Sequence, residues 1–270
     1  PLPPAAPGRR RVLRRRRVPR QLRRGIYLLP SLFTLGNIFL GFWAVVLGLR
    51  GAFQSAALMI FAAGILDALD GRIARLTHTE SDFGREFDSL ADVLTFGSAP
   101  ALVAYLWGLQ DFGRIGWLVP LFFLVCTATR LARFNVQARN VDSRWFVGLP
   151  SPAAAGAIAS LLFLAPAQGE VPPWQSATML LALAAVGSLM ISTFRYPSFK
   201  RIDLKERRSY RLLLPLTALL LVVAYHPPAF FLSVAVTYTC YGPIAWLAGR
   251  RGRLEAGGPE AVEAEARSAR

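Results

Sequence analysis

The chain alternates between long apolar blocks and short polar segments, and this pattern predicts its fold class. A helix that crosses a bilayer needs roughly 20 mainly apolar residues. Because eight blocks reach or approach that length, we expect an all-α integral membrane protein with about eight transmembrane helices, or six if the last hairpin does not span. The predicted spans are 27–49, 53–75, 84–109, 115–135, 149–168, 174–194, 211–226 and 229–248.

The positions of the charges predict the topology. The 270 residues are 54% hydrophobic and only 17% charged, which excludes a water-soluble globular domain. If the N-terminal segment is cytoplasmic, 29 of the 31 Lys and Arg lie in inside segments, and only Arg50 and Arg114 lie outside. The net charge of +15 is therefore a topology signal, and we expect no nucleic-acid partner.

Two polar tails flank the predicted membrane domain, 27–249. Residues 1–26 carry an Arg-rich run, which either attracts anionic lipid or serves only to fix the topology. Residues 250–270 are rich in Ala, Glu and Gly, and we expect them to be disordered and cytoplasmic. The two cysteines lie inside apolar blocks, which excludes a disulfide-stapled scaffold.

Acidic residues are concentrated at one junction between predicted spans. Seven of the 16 acidic residues fall between positions 67 and 92, and four of them lie at or inside span ends. These four are Asp67, Asp70, Asp88 and Asp92. An Asp at the centre of a bilayer costs about 2.5–3.5 kcal/mol, and ionisable groups within membrane spans usually face a polar, functional cavity.

The spacing of these four residues predicts that their side chains converge. Asp67 and Asp70 are separated by three positions and Asp88 and Asp92 by four, so each pair shares one helix face. The loop between the helices is short, which makes them antiparallel neighbours. Four converging carboxylates favour hard divalent cations, Mg²⁺ or Mn²⁺ and most simply two ions, together with ligand phosphates. The alternative is a network of salt bridges with Arg72, Arg75 and Arg85.

The full pattern is Asp67-x₂-Asp70-Gly71-x₂-Ala74-Arg75-x₈-Gly84-x₃-Asp88-x₃-Asp92, and it resembles the signature of the CDP-alcohol phosphotransferase family at every fixed position. The resemblance implies a helical membrane fold whose active site opens near the cytoplasmic face. It also implies transfer of a substituted phosphoryl group from a CDP-linked lipid to an alcohol, with release of CMP.

The resemblance also implies roles for individual residues. Asp67, Asp70, Asp88 and Asp92 correspond to the carboxylates of a two-metal site, with Asp92 also the candidate base. The residues implied for the CDP moiety are Asp67, Gly71, Ala74, Arg75 and Gly84, to which we add Asn37 as a polar residue of the first span. For Asn37, a hydrogen bond between helices is the equal alternative.

Five further blocks, 30–41, 88–101, 130–135, 148–153 and 196–200, resemble the bacterial and archaeal members of this family that use L-serine as the acceptor. This likeness implies CDP-diacylglycerol and L-serine as substrates, a homodimer, and a location in the cytoplasmic membrane of a prokaryote. Serine brings a carboxylate that needs a cationic partner. We expect Arg130, Arg133, Asn135 and Lys200 to contact serine or lipid phosphate, although membrane anchoring also explains the basic residues.

Two other functions fit parts of the pattern. The acceptor could be glycerol 3-phosphate or an inositol phosphate, but such acceptors call for more basic residues near the site than Arg130 and Arg133. A cation transporter could use the same carboxylates. Transporters, however, usually show internal repeats and sites at the bilayer midplane, whereas these acids cluster at one interface and the sequence shows no repeat.

Overall fold

The computed structural model describes residues 20–77, 82–137, 145–164, 171–197, 217 and 225–256. Within these ranges the chain is almost entirely helical, because apolar segments in lipid must satisfy their backbone groups internally. The helices are α1 (Arg20–Leu49), α2 (Phe53–Thr77), α3 (Asp82–Asp92), α4 (Ala99–Ala104), α5 (Gly113–Gln137), α6 (Ser151–Phe163), α7 (Pro173–Ile191) and α8 (Pro227–Ala256). Two three-residue strands, β1 (Trp145–Val147) and β2 (Arg195–Pro197), form an antiparallel ribbon that the sequence pattern did not predict.

Five helical stretches are long and apolar enough to cross a membrane: Leu32–Leu49, Phe53–Arg72, Phe83–Val136, Pro173–Ile191 and Pro227–Leu247. The third has 54 residues, about twice the length of one crossing, and it contains the predicted third and fourth spans. These two spans meet near Gly113, whose φ of +55° is readily adopted only by glycine. The protein is therefore an integral membrane protein.

The predicted boundaries differ from the structure at several places. In the described part of the predicted span 149–168 the helix is α6, which has 13 residues and begins after Gly148 and Pro150. Helix α1 begins at Arg20 and α8 ends at Ala256, so both enter the predicted polar tails, where Arg, Leu, Glu and Ala favour helix. The predicted span 211–226 lies almost wholly outside the described residues, and the count of eight spans stays a prediction.

The segment between α3 and α5 is not a regular α-helix, contrary to the uniform span predicted over 84–109. Residues Val93–Ser98 and Tyr105–Leu109 form π-helical turns on either side of α4, and a short 3₁₀ turn, Gln110–Phe112, precedes α5. π-Helical turns are rare and occur frequently at functional sites. The first of them begins directly after Asp92.

Small residues allow the helices of the bundle to approach closely. α1 packs on α2, α2 on α6, and α5 on α7. The buried positions in these contacts include many alanines, such as Ala44, Ala57 and Ala155, with Phe96 and Phe123 filling the wider spaces. This composition is typical of helix packing in membranes, where van der Waals contact provides much of the association energy.

The ribbon of β1 and β2 is attached to α8 through one tyrosine. The Tyr196 side chain is fully buried, and its hydroxyl donates to the Thr239 carbonyl at 3.2 Å. A Cβ atom at Gly242 would lie 2.5 Å from Cζ of Tyr196, so the ring packs directly on the α8 backbone. Burial, with smaller contributions from Tyr238 and Cys240, raises the pKa of Tyr196 to about 12, which keeps the hydroxyl protonated as a donor.

Gly41 sets the closest approach of α1 to the first π-helical turn. A Cβ at this position would lie 2.7 Å from Oγ1 and 2.9 Å from Cα of Thr95. We expect Gly41→Ala to destabilise the protein by about 1–3 kcal/mol, because backbone must move to relieve the clash. The measurement is the midpoint of thermal unfolding in detergent. Gly64→Ala is the control, since its Cβ would meet only Phe96, at 3.9 Å; equal midpoints for both variants would contradict this interpretation.

Candidate functional site

The four aspartates of the signature lie on α2 and α3, which run antiparallel. Oxygen atoms of Asp67, Asp88 and Asp92 all lie within 4.8 Å of one another. At such a separation two unit charges repel by about 3–4 kcal/mol even at an effective dielectric constant of 20. Three ionised carboxylates held this close need a compensating cation.

Asp70 lies beside this group in a different environment. Its Oδ2 accepts a hydrogen bond from Oγ1 of Thr34 on α1 at 3.0 Å, and the side chain is only 6% exposed. The other oxygen, Oδ1, is buried and has no hydrogen-bond partner in the described part of the chain. Asp92, 9% exposed, likewise has a buried Oδ1 with no partner there.

These buried oxygens fit divalent-metal ligands. An unpaired buried polar atom costs about 1–3 kcal/mol, more if it is charged, so the arrangement is unfavourable unless something fills it. Carboxylate oxygen is the donor that Mg²⁺ and Mn²⁺ prefer. The residues that could hold such ions are therefore Asp67, Asp88 and Asp92 as a group, with Asp70 adjacent to them.

One of the small residues of the signature borders open space. Gly71 is exposed, and a Cβ there would meet no described atom within 4 Å. Gly84 is half-buried on α3, one turn before Asp88. Ala74 and Arg75 lie in the last part of α2, where the side chains are outside the described set. The roles predicted for these four residues in nucleotide binding stay predictions.

Arg130 reaches the aspartate group from α5. It is 8% exposed, and Nη1 donates to Oγ of Ser151 at 2.8 Å. The guanidinium interacts electrostatically with Asp92 and Asp67, and lies 5.7 Å from the ring centroid of Phe134. A buried cation next to the carboxylates can bind an anionic substrate group. A simple surface anchor would not be buried in this way.

Arg133, which we predicted beside Arg130 as a substrate ligand, donates hydrogen bonds to main-chain carbonyls, and its role in substrate binding stays a prediction. Its Nη2 donates to the Val147 carbonyl at 2.8 Å and to the Ser192 carbonyl at 3.3 Å, and its Nη1 donates to the Ile191 carbonyl at 3.1 Å. These carbonyls belong to the end of β1 and the end of α7. The guanidinium therefore fixes the ribbon against α7.

Asn135 also has a protein partner. Its Nδ2 donates to Oγ of Ser89 at 2.9 Å, and Ser89 in turn donates to the Arg85 carbonyl at 3.0 Å. This pair ties α5 to α3 next to Asp88. Lys200, the fourth predicted substrate ligand, lies outside the described residues.

Asn37 is the most buried polar residue of the first span. Its side chain is 1% exposed, and neither Oδ1 nor Nδ2 has a hydrogen-bond partner among the described residues. Its backbone carbonyl accepts a hydrogen bond from Oγ1 of Thr95 at 3.1 Å. Among the described residues the amide makes no hydrogen bond to another helix, and both predicted roles of Asn37 stay predictions.

Three residues of the site escaped the sequence analysis: Thr34, Thr95 and Ser151. Thr34 lies one helical turn before Asn37, and Thr95 lies three residues after Asp92, so each is one turn from a predicted site residue. Ser151 follows Pro150 at the start of α6, a position that is usually a simple helix start. Only the tertiary contact with Arg130 distinguishes it.

The sequence profile of CDP-alcohol phosphatidyltransferases matches residues 27–190, which include α1 to α7 almost completely. The chain belongs to the CDP-alcohol phosphatidyltransferase family, and it is an enzyme of that class.

The chain is also similar to individual named members of this family. The chain is 40% identical over 223 residues to the CDP-diacylglycerol–serine O-phosphatidyltransferase of Helicobacter pylori, covering 82% of this chain and 92% of the relative. It is 33% identical over 240 residues to the enzyme of the same name from Mycobacterium bovis, covering 84% and 83%. It is also 36% identical over 177 residues to the archaetidylserine synthase of Methanothermobacter thermautotrophicus, covering 65% and 70%.

Proposed function

We propose that this protein transfers the phosphatidyl group of CDP-diacylglycerol to the hydroxyl of L-serine, which gives phosphatidylserine and CMP. The observation that carries the proposal is the group formed by Asp67, Asp88 and Asp92 within a chain similar over most of its length to serine phosphatidyltransferases. The buried Arg130 beside the group supports an acceptor that carries a carboxylate.

Members of this family generally depend on divalent metal. Asp67, Asp70, Asp88 and Asp92 would hold Mg²⁺ or Mn²⁺, most simply two ions, and the metal would neutralise diphosphate charge and stabilise the leaving phosphate. Gly71, Ala74, Arg75 and Gly84 would contact the CDP moiety, with Gly71 on the open side.

Asp92 is the proposed general base. The serine hydroxyl oxygen attacks the phosphorus that bears diacylglycerol, and a new P–O bond forms. The bond from that phosphorus to the oxygen of CMP breaks, and CMP leaves with the electron pair. Asp92 takes the hydroxyl proton as the attack proceeds, since a neutral serine hydroxyl is a poor nucleophile. We expect direct transfer, because none of the fixed positions of the signature is a Ser, Cys or His that could form a covalent intermediate.

The proposed orientation places both termini and the active site on the cytoplasmic side of a prokaryotic membrane. The distribution of basic residues supports it, because Arg50 and Arg114 alone would lie on the outer side. In this orientation serine and CMP exchange with the cytoplasm, while the lipid substrate and product stay in the bilayer. A homodimer is the assembly that the family resemblance suggests.

The test is CMP release from the purified protein in detergent with CDP-diacylglycerol, Mg²⁺ or Mn²⁺, and one alcohol at a time. We expect release with L-serine to exceed release with glycerol 3-phosphate or inositol phosphate by at least about 100-fold, because rejection of an unpaired charged group costs several kcal/mol. CMP release only with a phosphate-bearing alcohol would contradict serine as the acceptor. No release with any alcohol would favour the cation-transporter alternative.

A further inference from the structure

The side chain of Asn37 is a buried amide with no hydrogen-bond partner among the described residues. The side chain is 1% exposed, and its amide is unpaired in the described part of the chain. The backbone carbonyl of Asn37 accepts a hydrogen bond from Thr95. A buried amide needs hydrogen-bond partners, since leaving it unpaired costs about 1–3 kcal/mol per group. A ligand that reaches this position would supply them.

Contacts made by the neighbouring residues of α1 fix where Asn37 lies relative to the aspartates. Thr34, one turn earlier on α1, contacts Asp70, and Gly41, one turn later, contacts Thr95. Because α1 runs antiparallel to α2, moving from Thr34 to Asn37 moves away from the α2–α3 connection. Asn37 therefore lies beyond Asp70, at the end of the site marked by Asp92 and Thr95.

The space for the nucleotide lies at the opposite end. Gly71 and Gly84 are both closer to the α2–α3 connection than the aspartates that precede or follow them. In a displacement at phosphorus the attacking and leaving oxygens are roughly in line. If CMP leaves toward Gly71 and Gly84, the hydroxyl must approach from the end that holds Asn37 and Asp92.

We propose that Asn37 is a specificity-determining residue for the acceptor, with its Oδ1 accepting a hydrogen bond from the α-ammonium group of the amino-acid substrate. The inference rests on the proposed function and changes the predicted role of Asn37 from nucleotide to acceptor binding. An amide oxygen suits this task because it accepts from an ammonium group without adding a fifth negative charge to the four aspartates. Arg130, which donates a hydrogen bond to Ser151, would then pair with the substrate carboxylate.

The experiment compares L-serine with 3-hydroxypropanoate, which has the hydroxyl and the carboxylate but no amino group. In Asn37→Ala we expect KM for serine to rise about 10- to 100-fold, which corresponds to one lost hydrogen bond to a charged group. The inhibition constant of 3-hydroxypropanoate, measured against serine, should change by less than about threefold, because it has no group that Asn37 would bind.

Ser151→Ala is the matched variant, because Ser151 supports Arg130 and not Asn37. This variant should weaken the binding of serine and of 3-hydroxypropanoate by the same factor, since both compounds carry the carboxylate. CMP affinity, measured by calorimetry, and the Mn²⁺ concentration for half-maximal activity should stay at wild-type values in Asn37→Ala. Asn37→Ser, whose side chain is too short to reach, should reproduce the Ala result and replaces it if that variant does not fold.

Each other outcome overturns the inference. An unchanged KM for serine would show that Asn37 does not bind the acceptor. Equal weakening of the binding of serine and of 3-hydroxypropanoate would show that Asn37 does not bind the ammonium group. Weakened CMP binding would show that Asn37 contacts the nucleotide, and a raised Mn²⁺ requirement would show that it is a metal ligand. Absence of serine-dependent CMP release from the wild-type protein is a separate result, because it overturns the proposed function as well.

Discussion

Replacement of Asp92 by Asn lowers the turnover number for serine-dependent CMP release by about 10²–10⁴-fold, the contribution of a positioned general base. The substitution keeps the shape of the side chain and removes the group that takes the hydroxyl proton. It also leaves Asp67, Asp70 and Asp88 in place, so CMP should still bind. The measurements are the rate of CMP release at saturating serine and CMP affinity by calorimetry.

The matched control for this variant is Asp111→Asn. Asp111 is an exposed Asp in the 3₁₀ turn before α5, away from the site, and its replacement should leave the rate at the wild-type value. If Asp92→Asn keeps more than about a tenth of the wild-type rate, another group takes the proton. If CMP binding is lost together with turnover, Asp92 acts chiefly on the nucleotide complex, and its role as a base is not supported.

Loss of the metal site is expected to have an effect of comparable size. In Asp88→Ala, Mn²⁺ affinity measured by electron paramagnetic resonance should fall at least about 100-fold, because one of three clustered carboxylates is removed. Chelation of metal from the wild-type protein should abolish CMP release, and Mn²⁺ or Mg²⁺ should restore it. The Mn²⁺ measurement does not depend on catalysis, so it reports on binding alone.

Two comparisons make the metal prediction decisive. Asp111→Asn should bind Mn²⁺ like the wild type, which excludes a general effect of lost negative charge. Asp88→Ala that binds Mn²⁺ with wild-type affinity would show that the carboxylate group is not the metal site. Full activity after exhaustive chelation would contradict a metal requirement altogether.

The helical membrane fold could be predicted from the sequence because it depends on local composition. A run such as Leu32–Leu49 has to form a helix in lipid whatever surrounds it. The convergence of Asp67 with Asp88 and Asp92 was predictable for a similar reason. Because of the helical spacing and the short connection between α2 and α3, the two acidic faces must lie next to each other.

The features that escaped prediction depend on contacts between distant parts of the chain. Arg133 has the same spacing to Arg130 that suggested a paired clamp, yet its partners are carbonyl groups from residues 147, 191 and 192. No local pattern shows which carbonyls remain unpaired at the end of another helix. The hydrogen bond from Thr34 to Asp70 likewise spans 36 positions of the sequence.

The boundaries were less predictable than the presence of the helices. Hydropathy changes gradually at the ends of spans, and helix formers continue past the membrane at Arg20 and at Ala256. The irregular segment after Asp92 shows no signal in hydropathy at all, because a π-helical turn has the same apolar composition as an α-helical one.

That segment, Val93–Ser98, acts as a phase shift in the helix. A π-helical turn holds more residues than an α-helical turn, and each residue of an α-helix advances the side-chain direction by about 100°. A regular α-helix of the same length would turn the buried face of α4 about 100° away from α1 while the aspartates stayed in place, whereas removing one residue between Asp92 and Ala99 would keep that face in its present direction. The extra residue of the π-helical turn therefore lets Asp92 and the buried face of α4 hold orientations that an α-helix of this length could not combine.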